Sequence, residues 1–169
     1  MSPDRSTPVA LETVRDSDLW DVLPDAEAIV AIAVAAAFAE AELVARADAE
    51  LAVTLADDAR VQALNGEWRA KDKPTNVLTF PSVDPDETAD APMLGDVILA
   101  FETVEREARE EGRTLSDHLA HLVVHGVLHI FGYDHEDDDE AEAMEAIETR
   151  ALARIGVVDP YANDIAPAA

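Results

Sequence analysis

The chain has no cysteine, so disulfides and thiolate metal sites are excluded. Any bound metal must be held by His, Asp or Glu. A reducing cytoplasm is compatible with that composition. Positive charge is scarce: 12 Lys and Arg stand against 37 Asp and Glu, a formal net charge of −25. Taken as a whole, such a surface is poorly matched to nucleic acid, where phosphate contacts dominate affinity. It is well matched to solubility. There is no long hydrophobic run either. The longest, Ala28 to Ala39, is closed off by Glu27 and Glu40. It falls short of the roughly 20 apolar residues that span a bilayer, so it is expected to be a buried helix. Met1 to Ala10 has no apolar core of a signal peptide. The expected location is cytoplasmic, with no membrane partner. Aromatics make up only 5% of the chain while Ala is abundant, which favours close helix packing.

At 169 residues one domain is expected. Residues 1–8 read as a flexible start, 9–158 as the domain and 159–169 as a loose tail. Val9 to Leu19 partly alternates and predicts a first strand; Ala49 to Leu55 predicts a second. Asn76 to Phe80, ended by Pro81, and Gly95 to Ala100 predict two more, with an acidic loop from Ser82 to Pro92 between them. Pro24-Asp25 opens a helix to about Ala41. Asp57-Asp58 can cap another over Ala59 to Trp68, broken by Lys71 to Pro74. Phe101 to Glu111 is helical and stops at Gly112. Thr114, Ser116 and Asp117 offer caps for a helix running to Phe131, stopped by Gly132. Asp137 to Ile155 is a last amphipathic helix. Four strands lie mostly ahead of the later helices, about five in all, so the class is α+β in a single domain.

Three of the five histidines fall within eleven residues, His125, His129 and His135, spaced H-x3-H-x5-H. On a helix, residues four apart share a face, so His125 and His129 can point at one ion. A third ligand needs the chain to turn back, and Gly132 supplies the break. The spacing reproduces that of the metzincin proteases, glycine included. Three imidazoles leave one tetrahedral position open, as in catalytic rather than structural zinc sites. One zinc ion per chain is the expected cofactor. His118 and His121 continue the same stripe as core or supporting histidines, and His121 and Asp134 are candidates to orient an imidazole from behind. Where the H-E-x-x-H proteases carry their general base, this chain has Gly126. Between Arg60 and Pro81 the charge locally reverses, with Arg60, Arg69, Lys71 and Lys73 against Glu67 and Asp72.

The block from His125 to His135 resembles the H-G-x-L-H-x-x-G-Y-D-H signature of the YbeY family of bacterial rRNA maturation factors. Leu64-Asn65, Arg69 and Lys73 to Pro81 resemble a second family block, and Leu94 to Val97 a third. Thr79 stands for the usual Ser and Ile130 for the usual Leu. The resemblance implies an α+β fold with a small mixed sheet and a zincin-like site, zinc being held by the three histidines. It also implies a single-strand-specific, metal-dependent endoribonuclease acting in 16S rRNA 3′-end maturation and ribosome quality control. The implied partners are ribosomal RNA and the small ribosomal subunit, with a small-subunit ribosomal protein and a ribosome-associated GTPase. The family's phosphate-directed arginine falls on Arg69, the expected catalytic residue. Lys71 and Lys73 would add attraction to the RNA backbone. The general base stays open among a metal-activated water, Asp134 and the RNA 2′-OH. Two other readings compete: a zinc metallopeptidase, and a non-catalytic assembly factor whose zinc site is closed by His121 or Asp134.

Overall fold

Alternation along the central strands divides their apolar residues between two cores. In the computed structural model, which describes residues 9–69, 75–134 and 137–161, four strands form one sheet. These are β1 (Ala10–Arg15), β2 (Glu50–Ala56), β3 (Val77–Pro81) and β4 (Met93–Ala100). The order is β1-β2-β4-β3, with β1, β2 and β4 parallel and β3 antiparallel at one edge. Five α-helices complete the expected α+β fold: α1 (Ala26–Glu40), α2 (Asp58–Arg69), α3 (Phe101–Glu110), α4 (Leu115–Ile130) and α5 (Asp138–Arg154). Leu51, Val53, Leu55, Val97 and Leu99 enter the main core with α1, α4 and α5. Leu78, Ile98 and Ala100 turn the other way and meet Val61 of α2. The sheet is therefore sandwiched, as burial of both its faces requires.

The first strand is shorter than its pattern predicts. It ends at Arg15, and Asp18–Val22 forms a 3₁₀ turn instead. The cause is Trp20, which is fully buried and donates its indole N–H to the Ala56 carbonyl at 2.8 Å. Its ring meets Phe101 edge-on at 5.1 Å. Arg15 fixes the same corner by gripping both carboxylate oxygens of Glu27, at 2.6 and 2.9 Å. The acidic loop also contains a short 3₁₀ turn, Pro85–Glu87. Two caps differ in detail from expectation. Asp57 alone caps α2, accepting from the Arg60 N–H at 2.8 Å, while Asp58 accepts from Thr103. Thr114, rather than Ser116 or Asp117, caps α4. The expected flexible start, residues 1–8, lies outside the described residues. Among the described residues no helix is long and apolar enough to cross a membrane.

The position that carries α4 onto the sheet is Gly126. A Cβ there would sit 2.8 Å from Val97 Cγ1 and 3.4 Å from Thr79 Cγ2. The glycine is thus explained by close approach of α4 to β3 and β4. A glutamate at this site would be driven into the sheet. Two effects oppose each other in Gly126→Ala. Helix propensity favours alanine by about 0.8–1 kcal/mol, whereas overpacking against the stiff Val97 costs about 1–3 kcal/mol. The expected result is a net loss of roughly 1 kcal/mol, measured as a lower urea midpoint at unchanged m value. A stabilised variant would show that the contact relaxes freely.

Candidate metal centre

His125 and His129 occupy successive turns of α4 and are half-buried. Their Nε2 atoms lie 3.0 Å apart and their rings are 4.5 Å apart at the centroids. Both line an open groove of about 680 Å³ together with Asn65, Asn76, Thr79 and Asp134. The turn that follows is built by Gly132. Its N–H bonds the His129 carbonyl at 3.0 Å, and the next N–H, of Tyr133, bonds the Leu128 carbonyl at 3.0 Å, a Schellman ending. Gly132 has φ +98°, and a Cβ there would strike Pro85 at 2.6 Å. The chain can thus double back along the groove, where Asp134 lines the wall. The predicted third ligand, His135, comes next and lies outside the described residues, as do Lys71 and Lys73. Arg69 is the last residue of α2, one turn beyond Asn65, a buried residue of the groove wall. The Arg69 side chain is likewise outside the described part.

Behind the histidines stands a carboxylate that sequence reasoning did not single out. Glu148 of α5 is fully buried. Its Oε2 lies 2.6 Å from His125 Nδ1, and its Oε1 lies 2.9 Å from His121 Nε2. Tyr161 donates its hydroxyl to the same Oε1 and also approaches His121 Nε2 at 3.3 Å. Burial pushes the Glu148 carboxyl up, but hydrogen bonds from His121 and His125 outweigh it and hold the pKa down at about 2. Burial, and then the bond to Glu148, pushes the Tyr161 phenol up. The chain beyond Val158, expected to be loose, is therefore held as far as Tyr161, and Pro160 is buried.

An ionised carboxylate only accepts, so each imidazole nitrogen facing Glu148 carries the proton. In its neutral form His125 is then the Nδ1–H tautomer, and its Nε2 lone pair points toward His129. His121 is the opposite, Nε2–H tautomer. This agrees with its Nδ1 being buried without a partner among the described residues, since a lone pair is less costly to bury there than an N–H. His118 repeats the pattern, with Nε2 3.0 Å from Glu107 Oε1, which also accepts from Asn76 at 3.0 Å. Burial pushes the Glu107 carboxyl up, and the His118 and Asn76 bonds bring it below its usual value. The convergence of His125 and His129 Nε2, one of them fixed as a lone-pair donor, fits a divalent metal of the zinc type. His121 is turned to Glu148 and is not one of the converging pair. A separate trio, Asp84, Asp86 and Glu87, brings three carboxylates within 4.8 Å of one another. All three are exposed on the acidic loop, an arrangement common without any ion.

Glu148 did have a signature. Met144, Ile147, Ala151 and Leu152 form the apolar stripe of α5, and Glu148 falls within it. A charge on a buried stripe needs partners, and the histidines of α4 are those partners. Tyr161 had no such signal, because it follows the last helix in a segment without periodicity.

A family model described as Endoribonuclease YbeY matches residues 20–156. A Rhodopseudomonas palustris (strain BisA53) protein of that name is 55% identical over 161 residues, covering 92% of each chain. The Azorhizobium caulinodans protein of that name is 53% identical over 152 residues, covering 90% of this chain and 96% of its own. The solution structure of a Thermotoga maritima protein superposes with a TM-score of 0.53 at 24% identity, covering 86% of this chain and 91% of that one. At that identity the likeness speaks for the fold.

Proposed function

The chain belongs to the YbeY family, and on that premise we propose that it is an endoribonuclease of rRNA processing, cutting single-stranded RNA in the groove beside His125 and His129. The observation that carries this reading is the pairing of the two Nε2 atoms at 3.0 Å in the wall of an open groove. His125, His129 and His135 would hold one zinc ion. When bound, zinc supplies Lewis-acid chemistry, drawing charge from a phosphate oxygen and making a water easier to deprotonate. The protein's own residues do the remaining work. Glu148 keeps His125 in the ligating tautomer. Arg69 is the proposed donor to the charge that develops on the scissile phosphate. Asp134, on the groove wall, stays a candidate proton acceptor. Lys71 and Lys73 would attract the backbone without reading sequence. The biological setting that goes with this reading is 3′-end maturation of 16S rRNA and ribosome quality control in the cytoplasm. Its partners there would be the small subunit, one of its proteins and a ribosome-associated GTPase.

Two features weigh against the competing readings. Gly126 is packed against Val97, so the position of a peptidase base is filled by the sheet contact. His121 is engaged by Glu148, which leaves it out of the proposed ligand set and removes one of the two residues that could close the site. The test offers zinc-loaded protein a single-stranded RNA, the matching duplex and an unstructured protein. Cleavage of the single strand alone is expected, weakening as salt rises from 50 to about 200 mM. Cleavage of the protein substrate instead would restore the peptidase reading. Stoichiometric zinc with no cleavage of either would favour the assembly factor.

A further inference from the structure

The histidine stripe of α4 contains two pairs four residues apart, His121 with His125 and His125 with His129. Periodicity alone cannot choose between them. The choice is made from α5. We propose that Glu148 is the positioning residue of the metal centre, selecting the His125–His129 pair by setting opposite tautomers on His125 and His121. Its Oε2 holds the proton on His125 Nδ1, at 2.6 Å, which commits Nε2 to ligation. Its Oε1 holds the proton on His121 Nε2, at 2.9 Å, which removes that nitrogen from the ligand pool. The hydroxyl of Tyr161 anchors the same oxygen. The segment after α5 is thus connected to the metal centre through one carboxylate. The inference rests on the metal-centre reading above and extends it to Glu148 and Tyr161.

The geometry of the carboxylate supports a device rather than a packing accident. Glu148 is fully buried, so its position is fixed by its partners and not by solvent. Its side-chain partners among the described residues, His121, His125 and Tyr161, can each donate to a carboxylate, and two of them are imidazoles of one helix face. A carboxylate behind a ligating imidazole also raises the basicity of the ligand, and losing such a partner typically weakens metal binding about 10–100-fold. The Tyr161 hydroxyl bonds the carboxylate and approaches His121, so its loss should act more weakly and through Glu148.

The experiment uses the full chain. Zinc affinity is measured by chelator competition for wild type, Glu148→Gln, Glu148→Asp, Tyr161→Phe and His129→Ala. Long-range ¹H–¹⁵N correlations on metal-free protein at pH 8 read the tautomers of His121 and His125. Wild type should show His125 as Nδ1–H and His121 as Nε2–H. Glu148→Gln should weaken zinc about 10–100-fold and mix the His125 tautomers, with Tyr161→Phe intermediate. A wild-type His125 that is mainly Nε2–H overturns the proposal, and this measurement stands even if the Glu148 variants fail to fold. Wild-type zinc affinity in a folded Glu148→Gln overturns it too, while the metal centre survives so long as His129→Ala abolishes binding. Wild type that takes up no zinc overturns the metal centre itself, and the selection of a ligand pair goes with it.

Discussion

Replacing His129 by alanine is expected to abolish zinc retention and RNA cleavage together. His129 supplies one of the two Nε2 atoms that converge at 3.0 Å. His121, the next histidine at suitable spacing, cannot replace it, because its Nε2 faces Glu148 at 2.9 Å. Removing one of the three proposed protein ligands would leave two, too few to hold the ion against a chelator. The fold should tolerate the change. His129 is half-buried at the groove wall, and the main core is built around its neighbours Leu128 and Ile130. Zinc content by mass spectrometry and a single-turnover assay on single-stranded RNA, set beside a circular dichroism melt, read all three consequences. Full cleavage by a zinc-free variant would remove the metal from the proposed chemistry.

Much of this was legible because α4 carries several signals that agree. Its apolar stripe, Thr114 cap and Gly132 stop all specify one helix, and the histidines ride on it at helical spacing. Strands β2 and β4 were legible for a similar reason, their apolar residues alternating or running together as burial demands, and β3 because a compact apolar run ends at Pro81. The first strand was overextended because Val9 to Leu19 looks periodic locally, whereas the burial of Trp20 against Ala56 and Phe101 is a tertiary demand. Gly126 held a second reason that the sequence did not show. The sequence presents it as a missing base, and only the 2.8 Å approach of a would-be Cβ to Val97 exposes it as a packing requirement. Glu148 lies 23 residues from His125 and Tyr161 lies 13 beyond Glu148. No local pattern joins them, because the contact is made by how α5 and the following segment fold back on α4.

Replacing Arg69 by alanine is expected to separate metal binding from chemistry. Arg69 ends α2 one turn after Asn65, whose buried side chain lines the groove that His125 and His129 share. Arginine is not among the proposed ligands, so zinc stoichiometry should match wild type. A guanidinium offers two parallel donors in a fixed fork, and that geometry suits a phosphate whose charge grows during attack. Removing a preorganised donor of this sort typically costs about 10²–10³ in rate. Arg69→Lys should recover only part of the loss, because an ammonium restores the charge but not the fork. The salt dependence separates this role from simple attraction. If Arg69 only draws RNA in, Arg69→Ala should behave like wild type at saturating RNA and differ only in how steeply binding falls with salt. If it acts on the phosphate, the deficit persists at saturation and the single-turnover rate itself drops. A normal single-turnover rate at saturating RNA would remove Arg69 from the chemistry and leave it with the lysines as a binding residue.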